Sequence, residues 1–234
     1  MSISHEHEYR HQRLRALAAK AGPATMNAAT IRLWTVDLDA IGPPPVAPND
    51  TARLRQQARQ QALEQVALQA GVEVVRTCPL CGEDGHGRLT IRSEGVNVSV
   101  AWAGRWGVVA LADCRLGIDA EVLRGAPSPM TSALAPQEVA ALAPLSGRAR
   151  AESFLRLWTA KEAVAKADGR GLTLPLAQLD AAPVILHGRA TVAIDGTSWH
   201  VVVWDYEFPD GERAAFAIAA DTETLRIVWS PNGT

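Results

Sequence analysis

No apolar run in this sequence is long enough to cross a bilayer. The longest, around VNVSVAWAGRWGVVAL, is interrupted by Arg105 and falls short of the roughly 20 apolar residues a spanning helix needs. Neither sign of charge dominates: 23 Lys and Arg against 25 Asp and Glu leave a net charge of −2 and a pI of about 6.3. No general field therefore draws the chain to nucleic acid or to an anionic membrane, and no basic helix stands out as a nucleic-acid reader. Cysteine is sparse. Cys78, Cys81 and Cys114 are an odd number, which argues against a disulfide framework and for a reducing cytosol. The opening residues, with Glu6, Glu8, His5, His7 and His11, lack the apolar centre and small-residue cleavage site of a secretory signal. The expectation is a cytoplasmic protein with no membrane or nucleic-acid partner.

What is present suffices for a substantial core, since 47% of the 234 residues are hydrophobic. Residues 1–30 are polar and then Ala-rich and read as a flexible N-terminal segment. Alternation in IRLWTVDLDA (31–40) predicts a strand, and the prolines of IGPPPVAPND predict a loop. A helix is expected from about Asp50 to Ala70, stopped by Gly71. Strands with turns at Gly95 and Gly104 follow a turn-rich TCPLCGEDGHGRL. GIDAEVLR reads as a strand, helices follow at about 135–143 and 149–168, and the tail reads as a meander turning at Asp195-Gly196 and Asp210-Gly211. The batches divide near residue 114. The expected fold class is α+β, with two similar lobes at 31–114 and 115–234 and a site between them.

Two stretches carry the chemistry. In RLWTAKEAVAK, residues 156–166, a helical projection gathers Phe154, Leu157, Trp158, Val164 and Ala165 in one arc. Lys161 points into the middle of that arc, where an ammonium is unfavourable unless it snorkels or meets an anion. Glu162 and Lys166 lie together on the flank, which an ordinary i,i+4 pair would also explain. In GIDAE, Asp119 and Glu121 are two apart on a strand and so project from one face. Like charges that close are stable mainly around a cation, although a solvated acidic edge is also a reading of the pair alone. Magnesium, which prefers carboxylate and phosphate oxygens, is the matching ion.

GIDAE followed some forty residues later by WTAKEAVAK resembles the signature of the 4′-phosphopantetheinyl transferase superfamily. The size, the two-lobe layout and the opening strand resemble its surfactin-type members, pseudodimers within one chain. The resemblance implies transfer of 4′-phosphopantetheine from coenzyme A to a serine of an acyl or peptidyl carrier protein, releasing 3′,5′-ADP with magnesium as cofactor. A non-catalytic carrier-protein- or coenzyme A-binding module of the same fold is the alternative. By the same resemblance, Asp119, Glu121 and Glu162 match magnesium ligands, Lys166 the lysine approaching the diphosphate, and Lys161 a neighbouring cofactor-binding lysine. Glu138 stands where some members have a further acid, while an ordinary helix-start glutamate explains it as well. His86 and Arg88, in HGR, resemble a nucleotide-lining segment. Arg55 or Arg59 could meet the 3′-phosphate or simply be exposed. Where members commonly have Ser-His-Ser, this chain has Ser99, Val100 and Ala101, and alternation with Val96 and Val98 gives Val100 a packing role. Cys78 and Cys81 have half the ligands of a structural zinc and read here as a tight turn without metal. An internal pseudodimer needs no partner chain, so a monomer is expected.

Overall fold

A computed structural model of the chain describes residues 28–41, 51–77, 83, 88–91, 95–123 and 131–230. The expected flexible segment falls almost entirely outside the described residues, as do His86, Cys78 and Cys81. Arg88 is placed by its backbone alone.

Two four-stranded sheets form the centre. The first takes β1 (Ala29–Asp37), β4 (Asn97–Ala103), β5 (Trp106–Ala112) and β10 (Leu225–Trp229) in the order β10-β1-β5-β4. The second takes β6 (Leu116–Val122), β7 (Arg189–Ile194), β8 (Thr197–Glu207) and β9 (Arg213–Ala220) in the order β6-β9-β8-β7. A separate hairpin joins β2 (Val74–Thr77) and β3 (Arg88–Ile91). Four α-helices, α1 (Thr51–Ala70), α2 (Pro136–Leu142), α3 (Gly147–Asp168) and α4 (Pro183–His187), and three short 3-10 turns at Thr131–Ala133, Gly171–Thr173 and Leu176–Gln178 complete the described elements.

Period-2 alternation sorts the strand residues into layers. Ile31 and Leu33 of β1, Val108 and Ala110 of β5, Leu116, Ile118 and Ala120 of β6, and Phe216 and Ile218 of β9 share one buried cluster between the sheets. The outer face of the first sheet, with Trp34, Val98, Val109 and Leu111, is covered by Leu63 and Val66 of α1. Val96 and Val100 pack against that same cluster, as the alternation requires. The outer face of the second sheet is covered by α3, whose Phe154, Leu157, Ala160, Ala163, Val164 and Ala167 share a cluster with Ala217 and Ala219 of β9. Small residues on both sides allow helix and sheet to approach closely. The layers therefore run α1, first sheet, second sheet, α3.

One order recurs in both sheets. β1 pairs antiparallel with β5, which pairs with β4, and β6 pairs antiparallel with β9, which pairs with β8. The expected turns form: Asp195 and Gly196 have φ of 48° and 79°, and Gly211 has 81°. The strand following the meander goes elsewhere. β10 returns to the first sheet and pairs parallel with β1, from Ala29↔Leu225 to Leu33↔Trp229. Its Trp229 stacks on Tyr206 of β8 at 4.7 Å between ring centroids, which fastens one sheet to the other.

Candidate active site

The free edges of the two sheets, β4 and β6, meet. As an edge strand, β6 has backbone groups unpaired within its own sheet. The Ser99 hydroxyl of β4 accepts the Ile118 N–H of β6 at 2.9 Å. On β6, Gly117, Asp119 and Glu121 alternate away from the intersheet core, toward α3. A Cβ at Gly117 would overlap the Ala163 carbonyl oxygen and the Ala167 nitrogen of α3. Strand and helix are thus in backbone contact, and only glycine fits between them.

That contact sets β6 carboxylates against α3 side chains. The Lys166 ammonium donates to Asp119 Oδ1 at 2.7 Å and to the Val100 carbonyl of β4 at 3.2 Å. One lysine on α3 thereby reaches both sheets. Asp119 is buried, and its Oδ2 has no hydrogen-bond partner. Burial pushes its carboxyl above the usual range, against the pull of Lys166. Burial and the Asp119 charge raise Glu121 to about 6, while a hydrogen bond from the half-buried Trp158 pulls the other way. Burial and Asp119 likewise raise Glu162, with Lys166 opposing. Three carboxylates short of positive charge therefore stand around one lysine.

Asp119, Glu121, Glu162 and Lys166 are brought together. Among the described residues, no three His, Cys, Asp or Glu side chains are arranged to ligate one ion as they stand. The chemistry of the donor set nevertheless suits a hard divalent cation. All three are carboxylates, each is held above its ordinary pKa partly by a neighbour of like charge or by burial, and one oxygen is buried without a partner.

Lys161 stands apart from this group. The resemblance implies a cofactor-binding role, but the side chain is only 1% exposed and its ammonium is taken up inside the C-terminal half. It pairs with Glu138 and donates to the carbonyls of Ala133 at 2.7 Å and Leu176 at 2.9 Å. The anion that a lysine in the core arc must meet is a glutamate of the fold, not a phosphate. Glu138 is fully buried and also accepts the N–H groups of Ala135 at 2.7 Å and Ala181 at 2.9 Å. It caps α2 as a helix-start glutamate does, and it is a structural counter-ion as well. Arg55 is exposed on α1, whereas Arg59 lies over the Trp102 ring of β4 at 5.2 Å. Cys114 is half-buried, and burial beside Asp221 and Asp113 lifts its thiol to about 11, far from a reactive thiolate.

Residues 115–221 match the family model of the 4′-phosphopantetheinyl transferase superfamily. That span runs from the start of β6 through β9 and includes Asp119, Glu121, Glu162 and Lys166. Over 85 residues the chain is 38% identical to a Synechocystis sp. protein that carries the provisional name of a 4′-phosphopantetheinyl transferase. The match covers 35% of this chain and 35% of that relative, so the chain spans about a third of the relative's length.

The raised Glu121 carboxyl has a measurable consequence in metal-free protein. Its folded value of about 6 exceeds the ordinary 4.5, so the folded state binds the proton more tightly. The penalty is absent below about pH 4.5, and stability falls as pH rises through 6. At full weight the cost is about 2 kcal/mol, nearer 1 after solvent screening at a half-buried site. In chelator at pH 7.5, Glu121→Gln is expected to raise Tm by roughly 3 °C and to flatten the slope between pH 4.5 and 6.5. Melts at stepped pH decide it. A variant as pH-sensitive as wild type would assign the slope to another group.

Proposed function

We propose that the chain transfers 4′-phosphopantetheine from coenzyme A to a serine of an acyl or peptidyl carrier protein, with magnesium as cofactor. The observation that carries this reading is the Lys166–Asp119 contact set beside Glu121 and Glu162, at the seam of two sheets. It unites the two sequence motifs in one place. The strand order shared by the two sheets supports a surfactin-type pseudodimer, acting as a monomer in the cytoplasm.

Asp119, Glu121 and Glu162 would hold magnesium, which when bound neutralises charge on the diphosphate oxygens. In the proposed reaction the carrier serine oxygen bonds to the β-phosphorus, the bond to the leaving phosphate breaks, and 3′,5′-ADP departs. Glu162 takes the serine proton, directly or through a water it holds. Lys166 offsets the charge gathering on the leaving phosphate. The rest of the work is positioning. His86, Arg88 and Arg55 remain the proposed nucleotide contacts. Lys161, itself on α3 and paired with Glu138 of α2, would instead anchor the helix that presents Glu162 and Lys166.

The test is incubation with coenzyme A, magnesium and a panel of apo carrier proteins, read by mass spectrometry. Addition of one phosphopantetheine to a carrier serine is expected, and Glu162→Gln should slow it by about 10². Wild-type turnover in that variant would remove Glu162 from the chemistry. Carrier binding without transfer to any member of the panel would favour the non-catalytic binder, the alternative to which the packed Val100 gives some weight.

A further inference from the structure

Lys166 does more in the ligand-free protein than wait for a phosphate. We propose that its ammonium is an internal counter-ion for the cation site, which a divalent ion must displace from Asp119 in order to bind. This rests on the three-carboxylate reading above and adds to it an exchange of positive charge.

Three observations carry the inference. Lys166 donates to Asp119 Oδ1 at 2.7 Å while Oδ2 of the same buried carboxylate has no partner, so half of the carboxylate is already claimed by a cation. Glu162 stands one turn before Lys166 on α3, and Glu121 two residues beyond Asp119 on the same face of β6, so the one ammonium stands beside all three acids. The carboxylates are not arranged to ligate one ion as they stand. Removing a lysine from among them releases the acid that a metal needs.

Displacement has a direction. The ammonium also donates to the Val100 carbonyl at 3.2 Å, on the edge strand of the other sheet. Once released from Asp119, it remains tethered at the seam by the first sheet. Metal entry thus converts a lysine spent on an aspartate into one available to an anion at the same seam. Cation binding and anion binding become coupled through one side chain, because each ligand removes a cost the other would meet alone.

The probe is Mn²⁺, titrated by electron paramagnetic resonance into the full chain without coenzyme A. Lys166→Met keeps the aliphatic length and removes the charge, and it is expected to bind Mn²⁺ about tenfold more tightly than wild type, the scale of one charge-assisted contact no longer in competition. Equal or weaker binding in the variant, with binding abolished by Asp119→Asn, would overturn the counter-ion role and leave the carboxylate site standing. No saturable Mn²⁺ binding in either protein, with or without coenzyme A, would sink both. A second measurement needs no variant. The sequence holds three lysines, Lys20, Lys161 and Lys166, and Lys161 at 1% exposure is an unreactive internal reference. Saturating Mn²⁺ should raise acylation of Lys166 several-fold in wild type. Labelling that stays constant through saturation overturns the displacement.

Discussion

Asp119→Asn is expected to lower phosphopantetheine transfer by about 10³ or more while leaving the metal-free fold as stable as wild type, or slightly more so. The two halves of this expectation have one cause. Asp119 sits almost wholly buried with one oxygen unpartnered, and burial raises its carboxyl despite Lys166. A carboxyl raised in this way favours the protonated folded state, so its charge weakens the fold at neutral pH. Asparagine keeps the shape and removes that charge, and its amide oxygen can still accept from Lys166. The proposed reaction instead loses a charged ligand at the point where phosphate charge must be neutralised, a loss on the scale of removing a principal electrostatic stabiliser. Single-turnover transfer and chelator-treated melts should be run on the same preparation. A variant that melts far below wild type would show that Asp119 is there to hold the fold. One that transfers normally would remove it from the site.

Lys161→Met is expected to act in the opposite sense, as a loss of stability first. Glu138 is fully buried, and removing its lysine leaves a carboxylate in the interior with only two backbone N–H partners, Ala135 and Ala181. Breaking one side of a buried pair typically costs about 3–5 kcal/mol, most of it the uncompensated charge. For a chain of this size that is a fall in Tm of roughly 10 °C. Lys161→Met combined with Glu138→Gln should recover much of the loss, because replacing both charges removes the desolvation penalty as well as the attraction. Urea unfolding of the two single variants and the double variant measures the coupling. Additive losses, with no recovery in the double variant, would mean that the lysine matters through its contacts to the Ala133 and Leu176 carbonyls and not through the pair.

These two residues mark where the sequence was legible and where it stopped being so. Asp119 and Glu121 could be placed on one face because a strand has period 2, a local rule that needs no partner. Lys161 could be recognised as anomalous because the helical period put it among Phe154, Leu157 and Val164. Its partner could not be found that way. Glu138 lies on a different helix, and a helix-start glutamate already had a sufficient local explanation. Helices α1 and α3 and the turns at Asp195 and Gly211 were visible for the same local reasons. The return of LRIVW as β10 was not, since a parallel partner about two hundred residues earlier leaves no trace in a five-residue strand. The grip of Lys166 on Val100 was equally hidden. The acceptor is a backbone carbonyl, which every residue has, so residue type at position 100 carries no sign of it.

The contact at Gly117 bears on ion size. Distances between groups on β6 and α3 are set there by one backbone resting on another, and backbones so opposed cannot move closer or compress. The packed alanines on either side leave little room for the layers to shear. Asp119 and Glu121 are therefore carried on one rigid wall, and Glu162 and Lys166 on the other. If the proposed three-carboxylate site takes up a cation, walls of this kind would adapt poorly to ions of different radius. Calcium is commonly accommodated by ligands that spread to six or more oxygens at 2.3–2.6 Å, whereas magnesium asks for a few at about 2.0–2.1 Å with the rest left to water or phosphate. At the proposed site, walls fixed by a missing side chain would favour the smaller ion, and the discrimination would then reside in a glycine outside the ligand set.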